Sequence, residues 1–167
     1  MLFETKRLIF EEAEEEDIAT IIDLESHPNN KDFLWIGTYE EHLEEMSDDD
    51  QILGVIKEKL NLDIIGYCLI RFDRKSDVFE LRRIAISSKG KGYGKESMEG
   101  LFDFAFNKCH SNRFWLDVYP DNIIGIKLYE GLGMHRDGVM RQSDKTDRGY
   151  LDQIIYSILK EEFKKEA

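Results

Sequence analysis

Nine consecutive residues, Lys89-Gly90-Lys91-Gly92-Tyr93-Gly94-Lys95-Glu96-Ser97, have the composition and spacing of a pyrophosphate cradle. Glycines at alternate positions open backbone conformations closed to other residues, so that successive N–H groups converge. A helix starting within the run would aim its unpaired amides and the positive end of its dipole at the same point. Lys89, Lys91 and Lys95 add cationic reach. A nucleotide-binding P-loop is the alternative, but the run lacks the closing Gly-Lys-Ser or Gly-Lys-Thr, and no metal-holding carboxylate follows in a suitable context.

Such a cradle needs a strand before it and a buried-face helix after it. The segment from Val78 to Ile86 is strand-like, and Met98, Leu101, Phe102, Ala105, Phe106 and Cys109 recur at helical spacing. Within the strand the apolar residues sit at odd positions, Phe79 and Leu81, then at even ones, Ile84 and Ile86. A one-residue bulge accounts for the switch and re-aims backbone N–H groups. A strand buried on both faces accounts for it equally.

Downstream, a strand-like Arg113 to Tyr119 leads into Asn122-Ile123-Ile124-Gly125-Ile126-Lys127-Leu128-Tyr129-Glu130-Gly131-Leu132-Gly133-Met134. This reads as a short helix capped by Asp121 or Asn122 and stopped by Gly131 or Gly133. Asn122 and Tyr129 fall two turns apart on one face, roughly 10 Å along the axis.

Together these two motifs resemble the GNAT superfamily of acyl-CoA-dependent N-acetyltransferases, and the resemblance covers nearly all of the chain. Gly90 to Gly94 fits the family's phosphate motif except that Lys89 replaces the usual Arg or Gln, which keeps the charge and loses the planar fork. Asn122, Leu128-Tyr129-Glu130 and Leu132-Gly133-Met134 fit its second motif, with Gly125 where Ala is common and Met134 where Phe is common. A glycine at 125 costs the helix about 1 kcal/mol relative to alanine, set against a close approach of the pantetheine arm.

The resemblance implies an α/β (α+β) fold: a mixed, mostly antiparallel sheet with helices on both faces. Two adjacent parallel strands splay apart to admit the arm of acetyl-CoA. It implies direct transfer of an acetyl group to a primary amine. Backbone donors near Ile84, Ala85 and Ile86 would hold the thioester, the 89–95 run the phosphates, and Asn122 and Tyr129 the far side of the arm. Tyr129 would be the acid that protonates the leaving thiolate, and Glu80 the base, directly or through water. The plainer roles are a packed tyrosine and a cross-strand partner for Arg82 or Arg83. A non-catalytic acyl-CoA sensor is the rival function; it would keep the cradle and dispense with Tyr129 and Glu80.

The acceptor side is sketched by Phe33, Trp35 and Tyr39 between two early helices and by Tyr150 and Asp152 at the last strand, with 141–149 as a polar hairpin loop near the mouth. Core packing competes as the role of these aromatics.

The 167 residues, 41% hydrophobic, suffice for one domain spanning 1–167. The elements expected are a strand at 6–11, helices at about 15–27 and 39–47, and strands near 51–58, 63–72 and 77–87. A helix at 93–110, strand 113–119, helix 122–132 and strands 134–142 and 150–159 follow. The formal net charge is −12, concentrated in 11–17 and 40–50, which disfavours nucleic acid. Those runs are either solvated helix faces or a field that steers a cationic amine such as a polyamine or a peptide N-terminus. A homodimer is admitted. The opening residues lead straight into a strand, so neither signal peptide nor membrane span is expected, and the cytoplasm is the expected location. Cys68 and Cys109 read as core residues. His27, His42, His110 and His135 have no ligand spacing, so no metal is assigned.

Overall fold

The computed structural model describes residues 1–87 and 90–166. Eight strands, β1 (Phe3–Glu4), β2 (Leu8–Glu12), β3 (Gln51–Glu58), β4 (Ile64–Asp73), β5 (Val78–Ile86), β6 (Arg113–Val118), β7 (His135–Thr146) and β8 (Gly149–Leu159), form one sheet in the order β1-β2-β3-β4-β5-β6-β8-β7. All neighbours run antiparallel except β5 and β6. The helices are α1 (Ile18–Ser26), α2 (Tyr39–Ser47), α3 (Tyr93–Asp103), α4 (Ile123–Gly131) and α5 (Lys160–Glu166).

Alternation along the strands dictates where the helices sit. In β6, Phe114, Leu116 and Val118 are buried while Arg113, Trp115 and Asp117 are only partly so. The buried set joins Phe79, Leu81 and Ile86 of β5 and Met98, Leu101 and Phe102 of α3 in the larger core. A smaller core on the other face packs Ile21 and Leu24 of α1 against Leu53, Val55, Tyr67, Leu69 and Ala85. Helices therefore cover both faces, as the resemblance implies.

The β4–β5 ladder passes from Ile70↔Leu81 to Leu69↔Arg83, so Arg82 is the extra residue of a bulge. That bulge is the cause of the phase switch from Leu81 to Ile84, although Ala85 is also buried, on the opposite face. The parallel β5–β6 ladder has three rungs, Val78↔Arg113, Phe79↔Phe114 and Glu80↔Trp115, and ends there. Beyond Glu80 the two strands diverge.

Three expectations need adjusting. The β1 and α5 elements carry too little periodic signal to be read locally; α5 is charged, and its Phe163 ring packs 6.1 Å from Phe102 and 5.3 Å from Phe106. The helix after the cradle ends at Asp103 and continues as a π-helical turn, Phe104–Lys108. Most of 141–149 is strand: the β7–β8 ladder runs to Thr146↔Gly149, with an irregularity between Met140 and Asp144. Cross-strand pairing there overrides a polar local sequence.

Candidate active site

The cradle sits between β5 and α3. Gly90 (φ 79°) and Gly92 (φ 78°) are left-handed, and Gly92 is the N-cap of α3. The first helical bond is from the Glu96 N–H to the Gly92 carbonyl at 3.1 Å, so the amides of Tyr93, Gly94 and Lys95 precede the helix's own ladder and suit an anion. Among the described residues, nothing lies within 4 Å of where a Cβ of Gly90 would stand, leaving room for a phosphate. Lys89 lies outside the described residues. Lys91 and Lys95 are exposed.

Arg7, which no local motif singles out, braces this loop. The guanidinium of Arg7 donates through Nη1 to the Lys91 carbonyl (3.0 Å) and through Nε to Glu96 (3.0 Å), and stacks 4.4 Å from the centre of the Tyr93 ring. Thr5 donates to the other Glu96 oxygen at 2.9 Å. Burial pushes the Glu96 carboxyl up, but hydrogen bonds from Arg7 and Thr5 outweigh it and hold the group below its ordinary value.

Across the gap, α4 begins at Asn122, whose Oδ1 accepts from the Gly125 N–H at 3.0 Å; Asn122, not Asp121, is the cap. Gly133 (φ 85°) supplies the left-handed stop. The closest neighbours of a Cβ on Gly125 would be the Asn122 carboxamide atoms, at 2.9–3.0 Å, so the glycine makes room for the cap within the chain itself. Tyr129 is buried, its ring centre 6.3 Å from that of Tyr156. Burial and the Asp117 carboxylate push its phenol up to about 12.

Ile84, Ala85 and Ile86 pair with Cys68, Tyr67 and Gly66 on the β4 side, while the β6 side of β5 is unpaired beyond Glu80. Backbone groups there face the splay. Glu80 occupies the last closed rung, half-buried, with Arg82 3.6 Å away. Burial raises its proton affinity; Arg82 works against this, and Asp117 adds to it.

Asp117 is a second carboxylate at the gap. Its Oδ1 accepts from Gln153 Nε2 at 3.1 Å, and burial, with Asp144 adding to it, raises its proton affinity. The sequence signal was present in β6, where Arg113, Trp115 and Asp117 alternate with the buried Phe114, Leu116 and Val118 and mark one wetter face.

The acceptor-side residues divide. Phe33 and Trp35 lie exposed in the α1–α2 connection, and the Trp35 ring centre is 4.2 Å from the Arg83 guanidinium carbon. The Tyr39 hydroxyl donates to Glu15. Tyr150 is exposed near the β8 start, under Lys145. Asp152 accepts from the Gln142 amide at 2.7 Å, which braces the β7 irregularity, and its neighbour Gln153 is the side chain that reaches Asp117. The hairpin tip is tied to this side by Arg148, which donates to Asp121 and to the Asp32 carbonyl.

Beneath Trp35 lies a buried ionic network. His42 Nε2 is 2.8 Å from Glu25, and its Nδ1 is 2.7 Å from Glu45; Arg83 donates to Glu45 at 2.7 Å, and the Tyr67 hydroxyl donates to Glu25. Burial pulls the imidazole pKa down, but hydrogen bonds to Glu25 and Glu45 outweigh it and hold His42 up at about 9. Two carboxylates thus meet two cations. Arg83 follows the bulge, so the network anchors the start of the kinked strand to both early helices. Among the described residues, no group of three or more His, Cys, Asp or Glu could hold a metal, and no helix is long and apolar enough to cross a membrane.

Residues 10–134 match the model of the acetyltransferase (GNAT) family. The chain is 32% identical over 74 residues to the uncharacterized N-acetyltransferase p20 of Bacillus licheniformis, covering 44% of this chain and 42% of p20. It is 29% identical over 125 residues to the uncharacterized N-acetyltransferase YokL, derived from the SPbeta prophage of Bacillus subtilis, covering 74% and 70%. The match thus spans less than half of p20 and a larger part of YokL. Among solved structures, a chimera of Vibrio cholerae spermidine N-acetyltransferase SpeG with hSSAT superposes with a TM-score of 0.84 at 18% identity, over 95% of this chain and 98% of that one. The Vibrio cholerae spermidine N-acetyltransferase in complex with CoA and spermine gives 0.83 at 19%, over 94% and 98%. With three quarters of its length matching the family's model and the same fold in its structural neighbours, the chain belongs to the acetyltransferase (GNAT) family.

Proposed function

We propose that residues 1–167 act as one N-acetyltransferase domain that moves an acetyl group from acetyl-CoA to a primary amine. The observation that carries this reading is the parallel pair that parts after Glu80 with the amide-rich start of α3 beside it. Gly90 to Lys95 would hold the diphosphate, the gap-facing backbone of Ile84 to Ile86 the arm and thioester, and Asn122 and Tyr129 its other side. When bound, acetyl-CoA supplies a thioester carbonyl open to attack.

The chain's own groups then have three tasks. Fixed backbone donors on β5 stabilise the oxyanion in a site with little water, a term worth several kcal/mol. Tyr129 donates the proton that the departing thiolate needs. A carboxylate on the wet face takes the proton of the incoming ammonium, Glu80 being the candidate read from the sequence. The acceptor favoured is a cation, a polyamine or a peptide N-terminus: the chain carries net charge −12, and carboxylates flank the gap. The spermine-bound neighbour supports the small polyamine.

Free-thiol release from acetyl-CoA, tested with spermidine, spermine, amino acids, aminoglycosides and peptides of varied first residue, is the test. Turnover with polyamines that Tyr129→Phe abolishes while CoA affinity persists is expected. A sensor would bind CoA and release no thiol with any amine.

A further inference from the structure

We infer that Asp117, and not Glu80, is the carboxylate that binds the acceptor ammonium and takes its proton; the inference rests on the transferase reading above. Glu80 and Trp115 face each other across the last closed rung of β5 and β6, so their side chains share a face. Asp117 lies two residues further along β6, on that same face and inside the opened part of the gap. Glu80 is therefore at the apex of the splay and Asp117 within it.

The partners of the two carboxylates differ in the same sense. Glu80 is already matched by cations: Arg82 stands 3.6 Å away and Arg71 is its cross-strand neighbour. Asp117 is more than half buried, and the hydrogen bond that holds it comes from the neutral amide of Gln153. The Asp117 charge acts on Glu80 and on the Tyr129 phenol, and the Asp144 carboxylate acts on Asp117 in turn. Arg82 also acts on Asp117 but is paired with Glu80 at 3.6 Å, and Arg148 is engaged with Asp121. A largely desolvated carboxylate with one neutral donor lacks a cation, and an ammonium supplies it.

The proton inventory closes. The ammonium N–H bond breaks, an O–H bond forms on Asp117, and the nitrogen keeps the electron pair that attacks the thioester carbonyl carbon. The C–S pair leaves with sulfur, which takes the Tyr129 proton; the amide nitrogen returns its surplus proton to the Tyr129 oxygen. Asp117 then releases its proton to solvent.

The test compares the parent chain with Asp117→Asn and Glu80→Gln. Each is loaded with CoA, titrated calorimetrically with spermidine, melted, and assayed with acetyl-CoA and spermidine across the alkaline range. Asp117→Asn is expected to weaken spermidine binding about tenfold or more and to lower kcat/KM at neutral pH about a hundredfold. Its remaining activity should rise with pH as solution supplies neutral amine, and its Tm should increase because an under-compensated carboxylate is gone. Glu80→Gln should lose less on both measures. CoA affinity should stay that of the parent in both. A lower Tm or failure to fold in Asp117→Asn would show a structural carboxylate and overturn the inference. So would a larger loss in Glu80→Gln, or no uptake of spermidine by the CoA-loaded parent. Loss of CoA binding in the parent itself would instead sink the transferase reading.

Discussion

The Asn122 carboxamide occupies the space that a Cβ on Gly125 would need, its nitrogen lying 2.9 Å from that position. Alanine is the better helix former by about 1 kcal/mol, so a propensity argument alone predicts that Gly125→Ala stabilises the chain. The contact reverses the sign. The side chain would have to swing away and give up its bond to the Gly125 N–H, and a lost N-cap costs about 1 kcal/mol. Gly125→Ala should therefore leave the urea midpoint unchanged or lower, while in an Asn122→Ala background it should raise it.

The ionic network predicts a pH dependence of stability. His42 is held up at about 9 against an ordinary 6.5, so its contribution is fully present below pH 6.5 and fades as pH rises through about 9. At about 1.36 kcal/mol for each pH unit between the two values, the loss across that window is about 3 kcal/mol. Urea unfolding of the parent should show it, and His42→Gln should flatten the slope while lowering stability at neutral pH, since the two buried carboxylates then share Arg83 alone. A parent midpoint constant from pH 6.5 to 9.5 would show that His42 is neutral in the fold.

With its phenol at about 12, Tyr129 remains protonated throughout the usual assay range. No fall in kcat should accompany its titration below pH 10. Tyr129→Phe should lower kcat about a hundredfold or more at every pH tested, with CoA affinity unchanged.

Arg7 predicts an effect on the cofactor side without touching the acceptor. Arg7→Ala removes the bond to the Lys91 carbonyl and the stack on Tyr93, and KM for acetyl-CoA should rise about tenfold with little change in kcat. Arg7→Lys should recover only part, because an ammonium cannot reach Lys91 and Glu96 in one plane while covering a ring.

Much of the frame was legible because it is written in local pattern. The α2 and β3 bounds agree with the sequence reading, the Phe79/Ile84 phase switch foretells the bulge at Arg82, and the glycine run marks the start of α3. What was not legible depends on contacts between distant segments. Glu45 belongs to an acidic run that reads as solvated, yet it is buried with His42 because Arg83 and Glu25 arrive from elsewhere. Arg7 precedes the loop it braces by more than eighty residues. The sequence reading names Asp152 for the acceptor side and assigns no role to Asp117; the fold reveals that Gln153 reaches Asp117 while Asp152 holds the Gln142 amide.

The transferase reading depends on main-chain amides around Gly90 to Lys95 gripping the diphosphate of coenzyme A. Calorimetric titration of the purified chain with CoA and, separately, with pantetheine tests it most directly. CoA should be taken up one to one, and pantetheine, which lacks the diphosphate and the adenosine 3′-phosphate beyond it, at least about a hundredfold more weakly, since two charge-assisted bonds to the diphosphate alone contribute about 3 kcal/mol. No uptake of CoA, or equal affinity for both, would contradict it.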